Sequence, residues 1–290
     1  MKKQVIEEEK GQYESSNFES LKIGTEKFYT LNEFYEDKQV TVYDNLIESY
    51  RTELPSPRAK HSINLFKILK DCIGKDLTKF SMPVYFNEPI SMLQKIWETM
   101  QHESLLSKAA KQKDSLLRLI YVSAFCIAQY SGTQNRWTKP FNPILGETFE
   151  FQTKKWRFCA EQVSHHPPIS AGYAESNDYE MWTNTHVKTK FWGKYMEFVP
   201  IGKMNFRFKD NDHHFVWERP NSYAQNILLG HTYIDHNGES VIQNLNTNEK
   251  VVLKFSKLGF FENRNKIGKV DGTVSDSDGN KAYKINGNWT

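Results

Sequence analysis

Two hydrophobic rhythms divide the chain. From Thr148 onward, short runs rich in Phe, Trp, Tyr, Val and Ile recur about every 8–12 residues between turn residues, the pattern of an all-β barrel or sandwich. The clearest runs are Trp156–Val163, Thr185–Trp192, Lys203–Phe208, His214–Glu218 and Val251–Phe255. Asn237-Gly238 and Asp278-Gly279 read as hairpin turns. Before Thr148 the period is helical. Ile63, Phe66, Leu69 and Ile73 fall on one face, with Ser62 as an N-cap and Gly74 as a stop. The chain from Gly74 to Glu88 then runs extended. A second helix is predicted from Pro89, a good first-turn residue, with Ile90, Leu93, Ile96, Trp97 and Met100 on one side. A third runs from about Asp114 to Tyr130. Its apolar residues, among them Leu116, Leu117, Leu119, Ile120, Val122, Phe125 and Ile127, almost surround it, which predicts a buried helix closed by Gln129 and Tyr130. Helices followed by many strands indicate an α+β fold with a large antiparallel sheet.

Composition narrows the class. At 290 residues the chain has room for one large domain or two ordinary ones. The aromatic content of 14% suffices for a large core or a lined cavity. A net charge of +3 suits an anionic lipid surface and is too weak to argue for nucleic acid. Cys72, Cys126 and Cys159 are widely spread and read as reduced, buried thiols of a cytosolic protein. Neither a secretory signal nor a run of about 18 apolar residues is visible, so membrane contact is expected to be peripheral. Residues 1–50 are polar and mixed in charge, a flexible leader, with a single domain expected over 51–290.

The chemistry concentrates at Glu161-Gln162-Val163-Ser164-His165-His166-Pro167-Pro168. Two prolines cannot continue a helix or sit in a central strand, so a strand ends in a stiff loop that presents two imidazoles. On an extended chain, adjacent side chains point to opposite faces, so the pair is a poor chelate for one metal. No GxSxG, HExxH, phosphate-loop or dinucleotide motif occurs, and no enzyme activity or cofactor is expected. A second pair, His213-His214, lies in a polar turn with Asp210 and Asp212 and reads as a solvated loop. Lys139 and Asn142 sit in the proline-stiffened loop Lys139–Glu147. A lysine, an amide and two imidazoles converging on one mouth would hold a phosphate. Alternatively, the prolines shape corners and the histidines cap strand ends.

The eight-residue motif resembles, letter for letter, the fingerprint of the oxysterol-binding protein-related family. Ile73–Lys79, Met82-Pro83-Val84, Asn87–Gln94, Lys139–Glu147 and Phe191-Trp192-Gly193-Lys194 fit the same family in order, so the resemblance runs from about Pro55 to Trp289. It implies a lipid-transfer domain: a large incomplete antiparallel β-barrel around an apolar tunnel, with an N-terminal lid and plugging helices. Such a domain takes up phosphatidylinositol 4-phosphate and a second lipid, a sterol or phosphatidylserine, and exchanges them between membranes. The alternative is a lipid-regulated sensor or tether that binds without net transfer. Carried over by position, His165, His166, Lys139 and Asn142 form the phosphoinositide head-group site. Gln129, Tyr130 and Trp97 line the sterol or acyl tunnel, and Ile63, Phe66, Leu69 and Leu77 belong to the lid. Glu33, Phe34 and Tyr35 resemble the paired-aromatic acidic motif that docks family members on a VAP-type receptor of the endoplasmic reticulum. Family domains continue past the Gly287-Asn288-Trp289 segment and there supply a lysine, a glutamate and an arginine to the head-group site. The sequence stops at Thr290, so the resemblance implies either a fragment or a C-terminally shortened domain, cytoplasmic and peripheral at membranes or membrane contact sites.

Overall fold

A computed structural model describes residues 73, 84, 87–134, 136, 138–227, 232–259 and 267–290. The leader, the Glu33-Phe34-Tyr35 motif, the lid residues Ile63, Phe66, Leu69 and Leu77, and Cys72 lie outside these residues.

The fold is α+β, an incomplete antiparallel barrel with helices packed inside it. The first element among the described residues is a strand, β1 (Asn87–Ser91), which pairs in parallel with β2 (Lys139–Phe141). Pro89 therefore lies in a strand, not at the start of a helix. The helix α1 (Met92–Trp97) begins three residues later, where Ser91 and Gln94 form a capping box that satisfies two otherwise orphan amides. A 3₁₀ turn follows (Glu98–His102), then α2 (Ser104–Ala110), too short to show a period, and α3 (Ser115–Ala128). Asp114 caps α3 by accepting from the Leu117 amide. Leu119, Val122, Phe125 and Cys126 are buried, but Leu117 is exposed, so α3 buries one broad face and not its whole circumference.

The sheet then runs β3 (Thr148–Gln152), β4 (Trp156–His165), β5 (Pro168–Ser176), β6 (Tyr179–Phe191), β7 (Met196–Ile201), β8 (Lys203–Phe208), β9 (His214–Glu218), β10 (Asn221–Gln225), β11 (Tyr233–Asn244), β12 (Lys250–Phe255), β13 (Lys269–Ser275) and β14 (Lys281–Asn288). Strand order is β14-β13-β12-β11-β10-β7-β6-β5-β4-β3, and β8 and β9 extend the wall between β6 and β11. Among the described residues β3 and β14 are the two ends of this strand order and do not pair with each other.

Register shows why two strands carry double labels. β6 pairs with β7 and β8 in one unbroken frame, from Phe191↔Met196 through His186↔Ile201 to Thr183↔Met204 and Tyr179↔Phe208. Gly202 alone interrupts the partner strand, at φ +105 with the Asn184 carbonyl where a Cβ would stand, so only glycine fits. β9 and β10 also form one strand, but a short one. Met204 pairs with Trp217 and Phe198 with Ser222, so β9–β10 crosses this stretch with one residue fewer than its neighbour. The same shortfall shows against β11, where Val216 pairs with Gln243 and Ser222 with His236. Arg219 and Pro220 fall out of the ladder at that point. Pro220 has no amide to contribute to it.

Asn237-Gly238 is not a hairpin. It lies within β11, where the strand passes from β10 (Asn221↔Asn237) to β12 (Gly238↔Phe255), and Gly238 takes φ +123 at the changeover. Asp278-Gly279 does form the β13–β14 turn, closed by the Gly279 amide on the Asp276 carbonyl.

The inner face follows from burial. Phe158 and Ala160 on β4, Gly172 and Ala174 on β5, Met204 and Phe206 on β8, Phe215 and Trp217 on β9, and Val251 and Leu253 on β12 point inward. Helix α1 sets Ile96 against Gly172, where an added Cβ would come within 3.0 Å of the Ile96 side chain. Each large apolar side chain so buried contributes on the order of 1.5–3 kcal/mol.

Candidate functional site

Strand β4 delivers His165 to one end of the barrel and turns into β5 with His165 opposite Pro168. The Ser164 hydroxyl donates to the Pro167 carbonyl at 2.8 Å, closing a tight turn around a cis His166–Pro167 bond. That turn overrides the alternation expected of an extended chain. The two imidazoles do not diverge; their centroids lie 4.8 Å apart, edge to face. His166 is exposed and His165 half-buried, with Nδ1 of His165 buried and without a partner among the described residues.

The Lys139–Glu147 loop is bound to the same strand. The Gly146 amide donates to the Gln162 carbonyl at 2.9 Å, and the Gln162 amide to the Glu147 carbonyl at 3.0 Å. Inside the loop, Glu147 accepts from the Ile144 amide at 3.0 Å. The Gln162 side chain then donates to Asn142 Oδ1 at 3.3 Å and accepts from the Ser170 hydroxyl at 2.5 Å. Asn142 is thereby fixed to a residue three positions before His165. Lys139 lies at the start of the loop. It bonds neither imidazole and forms no ion pair among the described residues; it is exposed, yet crowding by protein holds its ammonium below the ordinary lysine value. The joined loop and strand end make a mouth that carries the paired imidazoles, Lys139 and Asn142; among the described residues no hydrogen bond links Lys139 or Asn142 to either ring. Phe141, Ile144 and Leu145 on the loop and Val163 on the strand are exposed, Ile144 and Leu145 at 70% and 65%.

Of the three residues expected to line the interior, Gln129 and Tyr130 directly follow α3 and Trp97 ends α1. Trp97 packs on β3, 4.6 Å from Phe151 and 6.3 Å from Phe149. Tyr130 packs on β11 and β12, 4.4 Å from His236 and 5.1 Å from Phe255, with its phenol pushed above the ordinary tyrosine range by burial. Among the described residues, Gln129 Nε2 and Trp97 Nε1 are buried without partners.

Sequence reasoning missed His236, Gln162 and Arg219. His236 is buried on β11 with both ring nitrogens engaged, by Thr133 and Ser222 at 2.9 Å each, and with Trp289 against its ring. Burial drops its pKa to about 3, so the ring is neutral. Gln162 was legible as an inward position of an alternating strand. His214 is not the solvated residue expected of its pair: it starts β9, stacks on Trp182 at 5.2 Å and bonds Asn205 at 3.1 Å. Cys126 and Cys159 are free and buried, and burial raises both thiols out of the reactive range. Among the described residues no cluster of His, Cys, Asp and Glu could hold a metal, and no helix is long and apolar enough to cross a membrane.

The profile of the oxysterol-binding protein family matches residues 64–290, across the helices, the mouth and the whole sheet. The chain belongs to the oxysterol-binding protein family. Among its members, oxysterol-binding protein-related protein 3 of Mus musculus is 42% identical over 244 residues, 82% of this chain and 28% of that protein. Oxysterol-binding protein-related protein 2B of Arabidopsis thaliana is 41% identical over 245 residues, 82% of this chain and 35% of its own length. The chain thus spans about a quarter to a third of these curated relatives. Of solved family structures, the Osh1 ORD domain in complex with cholesterol superposes with a TM-score of 0.80 at 34% identity, over 90% of this chain and 62% of that one. The Osh3 ORD in complex with PI(4)P from Saccharomyces cerevisiae gives 0.74 at 32%, over 83% and 65%.

Proposed function

We propose that this chain carries lipid rather than transforms it. It takes up phosphatidylinositol 4-phosphate with the head group at the mouth and a second lipid, a sterol or phosphatidylserine, inside the barrel, and exchanges them between membranes as a peripheral, cytoplasmic protein. The observation that carries this reading is the joining of the two loops: Gln162 ties Asn142 to the strand that ends at the paired imidazoles. Imidazole, ammonium and amide donors at one mouth suit the several acceptor oxygens of a phosphorylated inositol. The apolar rim of Ile144 and Leu145 suits a membrane surface held at that mouth. The likeness to sterol- and PI(4)P-bound family structures supports both ligands. Docking through Glu33, Phe34 and Tyr35 to a VAP-type receptor is part of the proposal on sequence grounds alone.

The test is extraction of phosphatidylinositol 4-phosphate from liposomes by wild type and by a His165→Ala/His166→Ala double variant. The variant is expected to lose at least ten-fold in extraction. Equal extraction would remove the head-group assignment, and binding without transfer between two liposome populations would favour a sensor.

A further inference from the structure

Arg219 is the odd residue of the interior. The strand β9–β10 is one residue short against both neighbours at Arg219-Pro220, and irregularities of this kind re-aim a side chain. Phe215 and Trp217 face inward before it, and Arg219 continues that face: its Nη2 donates to Oγ1 of Thr185, a buried inward residue of β6, at 3.3 Å. Among the described residues that long bond to a neutral hydroxyl is its one hydrogen bond, and its Nε is buried with no partner. No carboxylate among them pairs with it, and desolvation lowers its pKa. Arg219 is half-buried, and it lies on the face that the open barrel turns toward its enclosed space. A guanidinium has five N–H donors in a planar fork suited to a carboxylate. Buried structural arginines are paired, as Arg157 is with Glu175 on the same sheet. An unpaired one beside an enclosed space has its counter-charge left to a ligand.

We infer that Arg219 is an internal acceptor site that takes the carboxylate end of a single-chain lipid such as a fatty acid, entering head-first. This rests on the reading of the barrel as a lipid carrier and adds to it a ligand class and a specificity residue inside the barrel, apart from the mouth.

The experiment compares oleate with methyl oleate, the same chain without the charge, by titration calorimetry on the whole chain, in wild type, Arg219→Met and Arg219→Lys. Wild type is expected to bind oleate at least ten-fold more tightly than the ester. Arg219→Met should abolish that preference with ester affinity unchanged, and Arg219→Lys should retain part of it. The wild-type comparison stands even if a variant fails to fold. Equal affinity of wild type for both lipids, or a preference kept in Arg219→Met, overturns the Arg219 site and leaves lipid carriage standing. Binding of neither lipid also overturns the Arg219 site, while lipid carriage stands or falls separately on phosphatidylinositol 4-phosphate extraction.

Discussion

The side-chain amide of Gln162 donates to Asn142 across 3.3 Å while its oxygen accepts from Ser170, so one buried residue couples a surface loop to two strands of the barrel. Gln162→Leu keeps the volume and leaves the Ser170 hydroxyl and Asn142 without their partner. Burying an unsatisfied polar group costs about 1–3 kcal/mol. Urea unfolding should show a loss of that size, and phosphoinositide extraction should fall about ten-fold although Gln162 touches no head group. Full extraction by a destabilised variant would mean that the bond stabilises the fold without positioning the loop.

His236 gives the protein a defined response to acid. The unfolded chain binds a proton on this residue near pH 6.5, the folded one only near pH 3. Stability therefore falls as pH drops through that window and is untouched above it. From pH 7 to pH 5 the loss from this residue is about 2 kcal/mol. His236→Gln should lack that component. Asp235 and Glu175, whose carboxyls burial pushes upward, act in the opposite sense, so the informative quantity is the difference between variant and wild type at each pH in denaturant titrations. A difference that stays constant from pH 7 to pH 5 would contradict a neutral buried ring.

Ile144 and Leu145 stand exposed on a loop that hydrogen bonds hold to β4. Replacing both by Ser should leave the melting temperature within about 2 °C, since surface substitutions usually change stability by less than about 0.5 kcal/mol. Sedimentation with anionic vesicles should drop about ten-fold, as two apolar side chains no longer leave water on docking. Unchanged sedimentation would move the membrane-facing surface elsewhere.

Much of the sheet is legible in the amino-acid pattern. Lys203–Phe208 and His214–Glu218 are bounded to the residue, because strict alternation with one buried face fixes both ends. The Asp278-Gly279 turn follows from its two residues. Asn237-Gly238 misleads because its turn chemistry serves another need here, a positive φ where a long strand changes partners. Pro89 misleads because a proline suits the first turn of a helix and an edge strand equally well. At the mouth, the motif names both histidines, but their mutual approach depends on the turn after them. Arg219 is invisible in the sequence: an arginine before a proline at a strand end looks like solvated punctuation, and only pairing with two other strands reveals which way it points.

A sheet is read in twos, and reading in twos implies a phase. Along β9 the odd-numbered residues Phe215 and Trp217 face the interior; along β10 the even-numbered Ser222 and Ala224 do. The phase slips at Arg219-Pro220 because the chain there is a residue short. One inserted residue would bring the strand back into step with both neighbours and give this stretch the ladder partners it lacks. The isolation of the guanidinium is thus a matter of spacing between Trp217 and Ser222. Substitutions at Arg219 change what occupies the gap, and only a change of length would close it.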